Sequence, residues 1–453
     1  METQERSRML GTMEMGRLVP KVSIPIMISM MVQALYNVVD GIFVAKYSAA
    51  ALTAVSLAYP IQMLMIAVST GLGVGFNSLI SRKLGEKRAE EAREAAKNGL
   101  FTELCGYLLF LVFGLFFAKP FFNLFTPEAE LQELGGEYLS IVCVFSFGLF
   151  FGICFERMMQ ATGNTVLSMV TQMTGAVINI ILDPIMIFGL LGFPAMGVAG
   201  AAIATVIGQI GGMTLGLVLN QAKNVELRLH LKGFRPDKTI LKGILDVGFP
   251  SIIMQSISSV MNVLMNMILL GFGTAAVNVL GVYFKLQSFV FMPVFGLSNG
   301  LVAILGYNYG ARMRKRVYDA LKVALIWAAA IMLLGTIAFL LIPKTLLSLF
   351  ESGDARELTA MGVVALRVIS LSFLLAAVGI TISTLFQAVG KGMYSLWMSL
   401  CRQIIVLLPV AWLLSKTGNV DAVWWSFPIA ELFSVALCLL LYRRVDRNML
   451  QKL

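Results

Sequence analysis

The sequence predicts an all-α integral membrane protein, with twelve transmembrane helices arranged as two pseudo-symmetric six-helix lobes. Three observations predict it: a charge-poor composition, twelve long apolar runs, and an internal repeat at a spacing of 225 residues. Of the 453 residues, 58% are hydrophobic and 13% charged, whereas soluble domains carry roughly 25% charged residues. Mean hydropathy is +0.84. The solvent of such a chain is lipid, and each crossing takes about 20 apolar residues.

The apolar runs lie near residues 17–42, 51–80, 95–118, 134–158, 165–190, 195–219, 240–270, 276–305, 318–342, 358–388, 394–414 and 422–442, each bounded by Gly, Pro or charge. Several approach thirty residues, longer than a straight crossing needs, so tilted or kinked helices that extend past the bilayer are expected. The runs are continuous rather than alternating, which argues against an outer-membrane barrel. The first run has no short apolar core followed by a small-residue cleavage site, and it holds Gln33, Asn37 and Asp40. It reads as a retained helix.

The net charge of +10 does not indicate nucleic acid, because the basic residues fall in alternate loops. Counting Lys and Arg in those loops gives 25 on one side, including Arg82, Lys83, Lys87, Arg88, Arg312, Arg314 and Arg316, and 5 on the other. This bias predicts a multi-pass plasma-membrane protein with both termini in the cytoplasm and an even number of crossings. The five cysteines all fall in apolar runs without paired spacing, so neither a metal site nor a disulfide framework is expected. The lipid bilayer and small organic molecules are the expected partners, and the chain is expected to work as a monomer.

A shift of 225 residues matches the first two helices to the seventh and eighth without a gap. It pairs Pro25 with Pro250, Asn37 with Asn262, Gln62 with Gln287, Gly71 with Gly296, Gly75 with Gly300 and Gly85 with Gly310. Prolines and glycines have backbone roles other residues cannot fill, so their shared register indicates duplication. A shift of two more pairs Gln160-Ala161-Thr162-Gly163 with Gln387-Ala388-Val389-Gly390. The expected organisation is a first lobe over 1–220, a basic linker over 221–242 and a second lobe over 243–453. Six helices per copy is an even number, so both halves enter the membrane in the same sense, with a pseudo-two-fold axis along its normal and a cavity between them.

Intramembrane ionisable residues mark candidate sites, because uncompensated charge there costs from about 2.5 to over 10 kcal/mol. On helix one, Gln33, Tyr36, Asn37 and Asp40 follow the three-and-four spacing of one helix face. Helix five repeats it with Gln172, Ala176, Asn179 and Asp183, followed by Pro184. If the stripes face each other, Asp40 and Asp183 with Asn37 and Asn179 form an oxygen-rich pocket for a proton or a hard cation, and the two carboxyl groups titrate as a unit. The alternative is that these polar groups only pin helix packing.

The second half offers Gln255, Asn262 and Asn266 on helix seven, and Met265 stands where the first copy has Asp40. Further polar candidates there are Lys285, Arg367, Arg402 and Glu431, for a substrate or ion-pair role or for structural pairing. Glu103, Glu156 and Arg157 read as lying near helix ends where water or headgroups solvate them. The only histidine, His230, is in the linker, which argues against histidine proton relays and histidine-based catalysis. The 27 methionines read mostly as packing residues.

The segments Leu35-Tyr36-Asn37-Val38-Val39-Asp40, Asn179-Ile180-Ile181-Leu182-Asp183-Pro184 and Gly197-Val198-Ala199-Gly200-Ala201-Ala202-Ile203-Ala204-Thr205, with Gln160–Asn164, resemble the multidrug and toxic compound extrusion (MATE) transporters. The resemblance covers nearly the whole chain. It implies export of amphipathic, often cationic compounds in exchange for H⁺ or Na⁺ by alternating access, with no enzyme activity and no cofactor beyond the coupling ion. It implies a first-lobe coupling site at Asp40, Asn179, Asp183 and Thr205 and a bend of helix one near Pro25; the remaining residues of the two stripes, Gln33, Tyr36, Asn37, Gln172 and Ala176, are the expected substrate-binding residues. One branch carries a glutamate on helix seven; Pro250–Asn262 has none, so the chain fits the branch with an aspartate on helix one.

The rival readings are a lipid-linked saccharide or metabolite flippase of the same superfamily, a major-facilitator exporter and a membrane-embedded transferase. The loop Ser81–Arg93 lacks the facilitator motif, and no nucleophile–base cluster supports a transferase.

Overall fold

The computed structural model describes residues 4–349 and 356–453, and the described chain is helical throughout with short connections. Six membrane helices precede the linker: α1 (Met15–Tyr47), α2 (Ala49–Gly85), α3 (Ala89–Phe116), α4 (Ala129–Val144 with Phe147–Ala161), α5 (Thr165–Phe188) and α6 (Gly197–Lys223). Six follow it: α7 (Lys238–Leu270), α8 (Thr274–Gly310), α9 (Arg314–Leu341), α10 (Thr359–Ser370 with Phe373–Ala388), α11 (Gly392–Ser415) and α12 (Val420–Lys452). The linker between α6 and α7 is therefore shorter than the basic run suggested.

The helix lengths have direct causes. At 1.5 Å per residue, the 37 residues of α2 span about 55 Å, well beyond a hydrocarbon core of about 30 Å. Two crossings are broken: α4 bends by 42° and α10 by 47°, at corresponding places in the two copies. Short helices Ala118–Phe125 and Pro343–Ser348 precede them, again at corresponding positions. The turns after α4 and α10 are closed by Gly163 and Gly390 at φ of 79° and 82°, a left-handed conformation that favours glycine. A side chain at Gly390 would also collide with the Arg82 guanidinium.

α1 runs unbroken through Pro20 and Pro25. Ser29 Oγ donates to the Pro25 carbonyl at 3.0 Å, and the helix packs along α8. The two halves meet through α1 on α8, α2 on α7 and α2 on α8. Small residues permit the approach: a Cβ at Gly85 would lie 2.0 Å from the Tyr307 carbonyl oxygen, and one at Gly310 would lie 2.1 Å from that of Arg82. Ser78 Oγ donates to the Gln387 carbonyl at 2.6 Å, and Thr70 Oγ1 to Gln255 Oε1 at 2.7 Å. These approaches lie in the halves of the helices nearer the loops with the most Lys and Arg, here called the basic face.

A nine-residue helix before α1, Gln4–Thr12, was not visible in the hydropathy pattern. It lies across the basic face. Asn308 Nδ2 donates to the Leu10 carbonyl at 2.8 Å, and Arg316 Nη2 donates to that of Met13 at 2.8 Å. Ser7 Oγ donates to Glu226 Oε1 of the linker at 2.6 Å.

Candidate cation site in the first lobe

The site begins with glycine. α5 and α6 approach so closely that a Cβ at Gly208 would lie 2.7 Å from the Gly175 carbonyl oxygen, and one at Gly200 would lie 2.5 Å from that of Met186. The small-residue run of α6 therefore lets Thr205 reach Asn179. Asn179 and Asp183 stand one turn apart on α5 and share a face. With the amide oriented by its hydrogen-bond network, Asn179 Nδ2 donates to Asp183 Oδ2 at 3.0 Å, and its Oδ1 accepts from Thr205 Oγ1 at 3.3 Å.

α1 packs against α5 and brings its polar stripe to this cluster. Gln172 Nε2 donates to Gln33 Oε1 at 2.9 Å, pinning the two stripes one to the other. Further along, the Asp40 and Asp183 carboxyl groups face each other within hydrogen-bonding reach. Asp183 is fully buried and Asp40 half-buried, with Asp40 Oδ1 enclosed and lacking a partner among the described residues. Two carboxylates so placed repel unless a proton or a cation lies between them. Tyr36 faces both of them and Thr205. Ala176 lies half-buried on the same stretch of α5, and the side chain of Asn37 lies outside the described residues.

Tyr138 and Gln62 complete the pocket and were not singled out as site residues from sequence. The buried Tyr138 hydroxyl of α4 accepts from Gln62 Nε2 of α2 at 2.9 Å, and this phenol lies within electrostatic range of Asp40 and Asp183. The one available signal was that Gln62 is kept as Gln287 in the second copy.

One expectation is corrected. Glu103 and Arg157 are not solvated at helix ends: Glu103 is 0% exposed and Arg157 8%. Ser69 Oγ donates to Glu103 Oε2 at 2.8 Å, and Arg157 Nη1 donates to Gln160 Oε1 at 3.0 Å. The physical reason is that α3 starts at Ala89, so Glu103 lies almost four turns inside it. Glu156, beside Arg157, is half-buried.

In the second half, Asn266 Nδ2 donates to Asn262 Oδ1 at 3.3 Å, while Arg402 and Glu431 form an ion pair at 3.8 Å. Lys285 is exposed on α8, and Arg367 Nε donates to the Leu340 carbonyl at 3.2 Å.

The MatE family sequence model matches twice, over residues 25–185 and 250–413. The second match begins at Pro250, the residue the repeat pairs with Pro25. The chain belongs to the MatE family. It is 27% identical over 410 residues to the multidrug export protein MepA of Staphylococcus haemolyticus, covering 90% of this chain and 89% of that one. Among solved structures, it resembles an outward-facing multidrug resistance MATE transporter of the MOP superfamily, with a TM-score of 0.92, 26% identity and full coverage of both chains. It also resembles a MOP superfamily transporter from Pyrococcus furiosus Vc1, described as having a binding pocket of reversed polarity, with a TM-score of 0.93, 26% identity and 99% coverage of both. As a MatE protein the chain is a multi-pass membrane transporter with the two-lobe helical fold, and its curated relatives are multidrug exporters.

Proposed function

We propose that this MatE protein is a cation-coupled exporter of amphipathic organic compounds, working by alternating access, in which Asp40 and Asp183 bind the H⁺ or Na⁺ that drives export. The observation that carries the reading is the facing carboxyl pair, ringed by Asn179, Thr205 and Tyr36. In a low-dielectric site this pair gains strongly from one positive charge and is strained without it, so ion binding pulls α1 toward α5. Substrate in the adjoining cavity then competes with that movement, which is the coupling antiport requires. Gln33, Gln172, Ala176 and the α1 stripe supply the substrate-facing wall.

The lobes touch through the basic face, and Lys and Arg excess marks the cytoplasmic side. This arrangement is therefore outward-open, with the plasma membrane as the site of action. A saccharide flippase would call for a cationic central cavity, and the paired carboxylates of the first lobe weigh against it.

The test is release of a bound fluorescent cationic dye from purified protein in nanodiscs, on acidification at constant salt and on Na⁺ addition at constant pH. The wild type is expected to release dye on one of the two additions, and Asp183→Asn on neither. Release from both proteins alike would exclude the carboxyl pair as the coupling site.

A further inference from the structure

The second lobe holds a charge pair that the coupling site does not use. Arg402 is the eleventh residue of the 24-residue span α11, near mid-membrane. It lies in a π-helical turn, Cys401–Leu407. Pro409 follows that turn and cannot donate to the ladder, which loosens the helix ahead of it. Such wide turns recur at functional sites, because they redirect a side chain that a regular helix would hold elsewhere.

Glu431 faces Arg402 from α12, with its carboxylate against Gly379 of α10, where an added Cβ would stand 3.5 Å from Oε1. Arg402 Nη1 is 3.8 Å from Glu431 Oε1, too far for a hydrogen bond. The two differ in access: the Arg402 side chain is 29% exposed and that of Glu431 8%. Glu431 Oε1 has no hydrogen-bond partner among the described residues, nor does Ser434 Oγ one turn along the same face. Half of the ten such buried atoms among the described residues fall on α11 and α12: Gln403, Trp424, Ser426, Glu431 and Ser434. Of these, Gln403 adjoins Arg402 and Ser434 stands one turn from Glu431; in hydrocarbon each unsatisfied group is costly, and orphaned polar atoms on both sides of a loose ion pair are what a bound ligand would complete.

We infer that Arg402 and Glu431 form a binding site for the zwitterionic head of an amphipathic molecule, its carboxylate on the guanidinium and its ammonium on the carboxylate. The charge pattern selects this class. A ligand with only an anionic group meets the repulsion of Glu431, and one with only a cationic group meets that of Arg402. A molecule with both satisfies each, and the planar guanidinium fork suits a carboxylate in particular. Access is from the exposed side of Arg402. The pair is a substrate subsite of the proposed exporter, and it binds without any gradient and without the first-lobe carboxylates.

The experiment measures binding to the purified protein in nanodiscs of three fluorescent probes that share one apolar tail. These are Nε-dansyl-lysine, a zwitterion; its methyl ester, a cation; and its Nα-acetyl derivative, an anion. Wild type is expected to bind the zwitterion at least about tenfold more tightly than either analogue, as expected for one added charge-assisted contact. Arg402→Gln should reduce the zwitterion to the level of the ester, and Glu431→Gln to the level of the acetyl derivative. The double variant Arg402→Gln with Glu431→Gln removes both charges together, leaves neither ion stranded, and should bind all three alike. Asp40→Asn should keep the zwitterion preference while losing ion-driven dye release, which separates this site from the coupling reading. Equal binding of the three probes to wild type, or an unchanged preference in the folded double variant, would reduce the pair to a structural ion pair and overturn the inference.

Discussion

The two lobes are copies in backbone and opposites in pocket chemistry. In the first, α1, α5 and α6 enclose two facing carboxyl groups whose neighbours Asn179 and Thr205 are hydrogen-bonded into place. In the second, the corresponding helices α7, α11 and α12 hold Met265 at the position of Asp40, and an Arg402–Glu431 pair loosely joined at 3.8 Å. The shift that aligns Gln160 with Gln387 sets Glu431 against Ala204, one residue from Thr205. Meanwhile the broken helices, the Gly163 and Gly390 turns and the sealing glycines are kept in both copies. Duplication preserved the helix breaks and the close glycine contacts, while the polar side chains between the helices diverged.

The comparison predicts its largest effect where first-lobe chemistry is removed. Asp40→Asn and Asp183→Asn should each abolish gradient-driven transport while the proteins keep their melting temperature in detergent, because Asn retains the shape and removes the charge. The converse graft should fail, because Met265 is fully buried among apolar side chains of its lobe. Met265→Asp is expected to cost about 2–4 kcal/mol of stability, read as a lowered melting temperature, without a second ion site appearing in binding assays.

A smaller effect is expected at the seal. Gly85→Ala or Gly310→Ala forces a methyl against a carbonyl oxygen at about 2 Å, and overpacking of this kind costs about 1–3 kcal/mol. The cost falls on the state with a closed basic face alone. Hydrogen exchange at the basic-face ends of α2 and α8 should therefore rise by roughly one to two orders of magnitude, and an unchanged rate would mean that the glycines do not set the conformational balance. The smallest effect is Thr205→Val, which removes one hydroxyl from Asn179. A loss of about 1 kcal/mol, or several-fold in ion affinity, is expected in a titration of the coupling ion.

Much of this was legible in the sequence because lipid imposes a simple rule. Continuous apolar runs must be helices, and polar residues at three-and-four spacing inside them must face protein. The stripes from Gln33 to Asp40 and from Gln172 to Asp183 were therefore readable as faces that could meet, with Asp40 and Asp183 as the candidate pair, while the Gln172–Gln33 hydrogen bond was not foreseen. The bends in α4 and α10 were not, since Phe145-Ser146 and Leu371-Ser372 contain neither proline nor glycine. Glu103 was misplaced because its depth depends on where α3 begins, and six polar residues at that helix start hid the boundary. Tyr138 escaped notice because a lone tyrosine in an apolar run looks like packing until Gln62 is seen beside it. The Arg402–Glu431 pair sits at a π-turn that no residue spacing announces.

The central claim is that the Asp40–Asp183 pair converts an ion gradient into export. Its most direct test is uptake of a fluorescent cationic dye into inverted membrane vesicles, energised separately by a pH gradient and by a Na⁺ gradient, for wild type and Asp40→Asn. The account predicts uptake by wild type under one of the two gradients and none by the variant. Equal gradient-driven uptake by both would contradict it.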